Sequence, residues 1–366
     1  MKKKLKIAQL APPWLAVPPK KYGGTELIVS HLAEELTKRG HNVTLFASAD
    51  SKTRAKLVSS FPKALYWKGT SWRDLYGLLF HTLTCFEKAE NFDIIHNHSA
   101  YLGLCFSQFT KTKVVTTYHG SLHPTIKEKG AKYKILKKFK NSYFVSISDS
   151  QRKTKDLKLN FVATVYNGID VKKFDFNESP KKHLIWMGRI TPKKGVLESI
   201  EIAKKLKLPL KIAAKIDKNW PPDVEFYEKR VKPLIDGKKI RYIGEIGGYK
   251  NKSNFLKNAL ALLNPIKWEE PFGLVMTEAM ACGTPVIAFG RGSVPEVIKN
   301  GKTGFICKPN DINSMIRAVK KIYQMPTEKY IKMRHNCRKH VEKNFTAEKM
   351  VDRYEKVYYK ILKSKK

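Results

Sequence analysis

A chain of 366 residues, 42% hydrophobic with 18 Phe and 16 Tyr, is globular and too long for one ordinary core, so it suits two domains of middling size. Five scattered cysteines at no metal-ligand spacing argue against a disulfide framework and fit a reduced cytosolic setting; no run of about 18 apolar residues offers a membrane span. The net charge of +39 invites a nucleic-acid partner, but it is spread over both halves and carried by 59 lysines against 12 arginines, whereas arginine reads base edges; no nucleic acid is expected.

The N-terminus superficially mimics a signal peptide, but Lys6 interrupts its apolar run and Pro12-Pro13 ends it early. A first buried strand over 6–10 is the better reading. Tyr22-Gly23-Gly24-Thr25-Glu26 then leads into an amphipathic helix over 26–39, closed by Gly40 at a natural C′ position. The paired glycines let backbone approach a ligand closely, and Thr25 is a candidate cap; a plain glycine turn competes with that reading. No Gly-Lys-Ser/Thr follows, so this is not a P-loop.

Strands follow over 42–47, 93–96, 113–118, 143–148 and 162–166. His96 and His98, at i and i+2, point to one face of an extended segment. Without further ligands at a recognisable spacing they read as pocket or structural histidines, and no metal is expected. His119-Gly120 closes a strand, where His119 is either a pocket residue or a turn residue. The stretch 125–140 holds Lys127, Lys129, Lys132, Lys134, Lys137, Lys138 and Lys140, with Ile135, Leu136 and Phe139 on one helical face. It could suit an anionic membrane surface, but a solvated helix in a lysine-rich protein is the favoured reading.

A second series of strands follows the polar stretch 175–180, over 183–187, 210–214, 240–243, 261–264 and 285–288, with helices between. Strands alternating with helices argue for parallel sheets covered on both faces. The expected division is an N-terminal domain over 1–176, a C-terminal domain over 182–345, and a tail over 346–366 whose helix packs back toward the N-terminal domain. Thr346 is a candidate cap for that helix, and Met350, Tyr354 and Tyr358 share one stripe.

In open α/β sheets ligands bind beyond the carboxyl ends of strands. After the first strand of the second series come Arg189 and Lys194, five positions apart across a turn. Two cations there can hold a diphosphate and neutralise it as it leaves, though both also read as solvated charges. Glu270 and Glu278 stand eight apart around a Pro-Phe-Gly turn that opens a helix. Backbone N–H groups near Gly273 and Leu274 suit a phosphate, and a carboxylate further along suits a ribose diol. Val275, Met276, Ala279, Met280 and Ala281 are apolar, so Glu278 is expected within a buried helix, where a carboxylate needs a partner.

Together these residues resemble the glycosyltransferase family 4 group of the GT-B fold. The resemblance rests on Gly23-Gly24, His119-Gly120, Asn167-Gly168-Ile169-Asp170, Gly188-Arg189 with Lys194-Gly195, the Glu270-x7-Glu278 signature, 281–286 and 301–305. The opening from Pro12 to Glu26 resembles a bacterial branch, some of whose members are described as UDP-glucose:tetrahydrobiopterin glucosyltransferases. The resemblance implies an α/β protein of two Rossmann-like, doubly wound parallel-sheet domains facing a cleft and closing on it. It implies a retaining, metal-independent hexosyltransferase, with glucose and a UDP-sugar favoured, the leaving diphosphate accepting the acceptor's proton, and no cofactor. Arg189 and Lys194 would clamp the diphosphate, with N–H groups of Phe272, Gly273 and Leu274 completing the cradle. Glu278 would take the ribose and Glu270 the donor sugar. Gly23 and Gly24 would close over the diphosphate, with His119 near the sugar and the unidentified acceptor. A lipid-linked or polysaccharide mannosyl- or galactosyltransferase at the inner membrane face, a nucleotide-sugar 2-epimerase and a non-catalytic sugar-binding protein remain as alternatives.

Overall fold

A computed structural model describes residues 3–68, 74–99, 101–122, 130–154 and 157–364. The chain forms two units, Met1–Gly168 with Ala347–Lys366, and Ile169–Thr346. Residues 169–176 therefore belong to the second unit, and the tail is grouped with the first.

In the first unit, β1 (Lys6–Leu10), β2 (Asn42–Phe46), β3 (Lys56–Val58), β4 (Ile94–Asn97), β5 (Lys113–Thr117), β6 (Tyr143–Ser146) and β7 (Phe161–Thr164) form a parallel sheet in the order β3-β2-β1-β4-β5-β6-β7. The short edge strand β3 is an addition to the sequence reading. Between the strands run α1 (Gly24–Lys38), α2 (Leu75–Phe86), α3 (Tyr101–Phe106) and α4 (Ala131–Lys138). Helix α1 ends as its sequence suggests: the N–H of Gly40 donates to Thr37 O at 2.9 Å and that of His41 to Leu36 O at 3.2 Å. This is the Schellman pattern, and Gly40 takes its left-handed φ of 83°. The start differs. Gly23 is the N-cap, no side chain caps the helix, and Thr25 lies inside the first turn.

In the second unit, β8 (Leu184–Arg189), β9 (Leu210–Lys215), β10 (Ile240–Tyr242), β11 (Ala261–Asn264), β12 (Val286–Phe289) and β13 (Gly304–Cys307) form a parallel sheet in the order β10-β9-β8-β11-β12-β13. Helices α5 (Val196–Leu206), α6 (Pro221–Phe226), α7 (Tyr249–Lys257), α8 (Leu274–Ala281), α9 (Val294–Val297), α10 (Ile312–Tyr323) and α11 (Thr327–Asn344) surround it. One core cluster joins strands β8 to β13 with α5, α10 and Tyr330 of α11. Helix α11 buries Tyr330, Met333, Arg334, Cys337 and Val341, a helical spacing partly disguised by an arginine. The tail forms α12 (Ala347–Lys363), which packs on α1.

Strand alternation divides the first sheet's two faces. Ala8, Leu10 and Ile95 pack with Cys85 of α2. Gln9, His96 and Thr117 point the other way and bond Tyr354 and Tyr358 of α12. Residues 123–129 lie outside those described, so of the basic stretch only 130–140 can be placed. There Leu136 is buried and Ile135 and Phe139 are half-buried, so the apolar face turns to the core rather than outward. Among the described residues no helix is long and apolar enough to cross a membrane.

Candidate active site

The second sheet reverses its winding between β8 and β11, the switch point at which a crevice opens beyond the strands' carboxyl ends. Arg189 ends β8, and Lys194 lies in the turn that follows. That turn is held against the chain leaving β11. Gly195 has a left-handed φ of 76°, and a Cβ on it would meet Pro265 O at 2.0 Å, so only glycine allows this approach. The Trp186 indole N–H donates to Lys194 O at 3.1 Å. Lys194 Nζ reaches Glu270 Oε2 at 2.5 Å and lies 4.9 Å from the Trp268 ring centroid. Trp268 Nε1 donates to the same oxygen at 3.1 Å. Lys194 and Glu270, 76 positions apart in sequence, are thus brought into one ion pair, with Glu270 only 8% exposed.

The loop carrying Glu270 is gripped by residues 291–293, which sequence reasoning did not single out. Glu269 accepts from Gly292 N at 2.6 Å and from Arg291 Nη1 at 3.2 Å. Ser293 N donates to Glu270 O at 2.9 Å, and Ser293 Oγ to Phe272 O at 2.8 Å. Gly292, at φ 55°, lies so close that a Cβ would meet Glu270 O at 2.3 Å. The Gly-Arg-Gly-Ser run after β12 was the available signal for this support.

Phe272 is buried, its ring 5.7 Å from that of Phe345. Gly273, at φ 78°, is the N-cap of α8, and no side chain caps the helix. The first-turn N–H groups at Leu274 and Val275 therefore meet no capping side chain. Glu278 is the fifth residue of α8 and is 3% exposed. The partner it was expected to need is Lys252 of α7, whose Nζ lies 2.7 Å from Oε1.

Arg189 faces two carboxylates also missed from sequence. Asp223 Oδ2 is 3.6 Å from its Nε and Asp217 Oδ2 is 3.9 Å from its Nη1, both aspartates being buried. Burial pushes the Asp223 carboxyl above the usual range; Arg189 offsets part of that and Asp217 adds to it.

In the first unit the corresponding switch point lies between β1 and β4. Gly23 packs so tightly that a Cβ would meet Pro19 Cβ at 2.7 Å, and Gly24 opens α1. His119, after β5, is 2.9 Å from His98 through Nε2 and Nδ1. His98 Nε2 is 2.9 Å from Gln9 Oε1, and Gln9 Nε2 donates to Tyr358 OH at 3.1 Å. Tyr358 OH is 2.7 Å from His96 Nδ1, and His96 Nε2 is 2.8 Å from Thr117 Oγ1. Both nitrogens of His96 and of His98 are thus engaged within the protein. Burial holds His119 down at about 4 and His96 and His98 well below 6.5, so all three are neutral near pH 7. Gln9 and Tyr358 carried no sequence signal for this network.

Residues 22–173 match the family described as Glycosyltransferase Family 4, and residues 169–344 match Glycosyl transferases group 1. N-acetyl-alpha-D-glucosaminyl L-malate synthase of Bacillus anthracis is 24% identical over 94% of this chain and 96% of its own. Among solved structures, sucrose-phosphate synthase from Thermosynechococcus elongatus superposes with a TM-score of 0.78 at 20% identity, covering 97% of this chain and 98% of that one. Anabaena HepE in complex with UDP-glucose superposes with a TM-score of 0.74 at 17% identity, covering 97% and 100%. These two likenesses speak for the fold. Two adjoining family matches that run from 22 to 344, over two parallel-sheet units of the GT-B kind, make this chain a family 4 glycosyltransferase, an enzyme that moves a sugar from a nucleotide-sugar donor.

Proposed function

We propose that the protein is a retaining, metal-independent hexosyltransferase using a UDP-sugar, with UDP-glucose favoured. The observation that carries this reading is the cluster at the β8/β11 switch point: Arg189, Lys194 bonded to Glu270, the uncapped start of α8, and buried Glu278. A diphosphate binds there between the Arg189 and Lys194 cations and the N–H groups from Phe272 to Leu274. Glu278 accepts from the ribose hydroxyls through the oxygen that Lys252 leaves open. Glu270 accepts from the hexose hydroxyls, oriented by Lys194 and Trp268. UDP-glucose in HepE, a protein of the same fold, supports this choice of donor.

In this mechanism the bond from the sugar's anomeric carbon to the diphosphate breaks as the acceptor oxygen bonds on the same face. The leaving phosphate takes the acceptor's proton, and Arg189 and Lys194 stabilise the charge that develops on it. Glu270 and Glu278 then have no acid/base role, unlike the paired carboxylates of a glycosidase. To the first unit the reading assigns the acceptor, with His119 just beyond the carboxyl end of β5.

A thermal-shift screen of UDP-, GDP- and ADP-sugars reads the donor, because a ligand that binds only the folded state raises the Tm. UDP-glucose is expected to give the largest shift. Glu270→Ala and Lys194→Ala should each cut turnover at least ~100-fold while leaving the fold intact, since both act on groups that the transition state needs. Near-normal turnover in both variants refutes the site. Binding without turnover on any acceptor favours a sugar-binding protein.

A further inference from the structure

Helix α2 presents its apolar side outward. Leu75, Tyr76, Leu79, Phe80 and Leu83 are 65%, 84%, 41%, 54% and 38% exposed. Their spacing places them on one helical stripe. Its inward side buries His81, Thr82 and Cys85, with His81 bonded to Ala11 O and Ser60. A helix on a sheet ordinarily buries its large apolar residues, and a contiguous exposed set marks an interaction surface.

The stripe does not stand alone. Helix α3 packs against both α2 and α4, so the three form one layer. Phe109, just beyond α3, is 78% exposed. On α4 and immediately after it, Lys132, Lys134, Lys137, Lys138 and Lys140 are all exposed. The layer therefore sets an apolar ridge beside a basic one. Its lysines make no salt bridge among the described residues.

Charge decides what covers this face. A second copy would bring another strongly basic surface, in a chain of net charge +39, against the first. An anionic bilayer supplies what both ridges need: phosphate headgroups for the lysines and an acyl boundary for the leucines and aromatics. We propose that the α2–α3–α4 layer of the first unit docks on an anionic lipid surface, with the α2 stripe entering the headgroup–acyl boundary. This moves the membrane contact from the 125–140 stretch alone to α2, and gives α4 the electrostatic part.

The test uses the full chain and vesicle flotation without donor or acceptor, so its result is independent of the sugar-transfer reading. Vesicles of phosphatidylcholine with 30%—roughly the anionic share that gives a strong surface potential—phosphatidylglycerol are compared with phosphatidylcholine alone. The full chain should partition at least ~10-fold more strongly onto the anionic vesicles at low salt, and lose most of that binding in ~0.5 M salt. A Y76S/F80S double variant, changed only at exposed positions, should lose binding at least ~10-fold with an unchanged melting temperature. A fluorophore on a Tyr76→Cys variant should be quenched by lipids labelled near the headgroup. Equal or absent binding to both vesicle types overturns the proposal. So does a concentration-dependent dimer, seen by sedimentation, that Y76S/F80S abolishes, because the stripe is then an interface between copies.

Discussion

In the proposed site donor affinity is expected to turn on Arg189, and its neighbours to work against the donor. Asp217 and Asp223 lie within 3.9 Å of its guanidinium and would compete with a diphosphate for it. Asp223→Asn keeps a polar group there and removes one negative charge. It should lower the Kd for UDP about three- to tenfold, the effect of about 1 kcal/mol from a close charge pair, as measured by calorimetry. An unchanged or raised Kd would mean that the aspartates hold Arg189 in its binding position. The histidines set a second expectation. His81 and His119 are held at about 4 by burial, against about 6.5 in an unfolded chain. Between those values the unfolded chain takes up protons that the folded one refuses, so stability rises with pH across the window. Each such histidine contributes a slope of at most about 1.4 kcal/mol per pH unit. The Tm should be insensitive to these groups above pH 7 and fall steeply from about 6.5 toward 4. A Tm that is level over that range would show that they are not buried neutral.

At the scale of elements, buried Arg334 ties α11 to the second sheet through carbonyls and a tyrosine hydroxyl. Its guanidinium donates to Asn177 O at 2.6 Å, Lys257 O at 2.8 Å, Ala259 O at 3.1 Å and Cys282 O at 3.3 Å, and to Tyr330 OH at 3.0 Å. The Lys257, Cys282 and Ala259 carbonyls close the ends of α7 and α8 and the approach to β11. Arg334→Met fills much of the volume but leaves the carbonyls unpaired. It should cost about 3–5 kcal/mol in urea unfolding of the second unit, as losing one side of a buried charged network does. A loss below about 1 kcal/mol would mean that water replaces the guanidinium. Elements with a clean period or a closing glycine were legible from sequence: β1, β2, α1 with Gly40, and α12. Others were not. Strand β3 is three residues, Lys56 exposed and Leu57 and Val58 half-buried, too short to show alternation. Helix α11 carries Arg334 where the period calls for an apolar residue.

For the whole molecule, the tail completes the first unit. Helix α12 buries Met350, Val351, Tyr354, Val357, Tyr358 and Ile361. Arg39 bonds Asp352 and Glu355 at 2.7 and 2.6 Å, and His41 bonds Glu355 at 2.8 Å. Each buried apolar side chain is worth roughly 1.5–3 kcal/mol, so together they match a domain's whole stability of about 5–15 kcal/mol. Deleting 347–366 should leave the first unit protease-sensitive while the second, with its own sheet and core, survives as a resistant fragment. Equal resistance of both units would refute that role. By itself the sequence determined the two α/β halves, the resemblance to the family, and Arg189, Lys194, Glu270 and Glu278 as candidates, because strand period, glycine turns and motif spacing are local properties. Tertiary structure alone decided which partners those residues have. Lys252 with Glu278, Gly292 against Glu270, the aspartates on Arg189, and Tyr358 with His96 across 262 positions are fixed by how the strands order and which face each side chain takes. It also decided that the apolar stripe of α2 faces outward, since a helical period shows that a face exists and only packing shows which way it points.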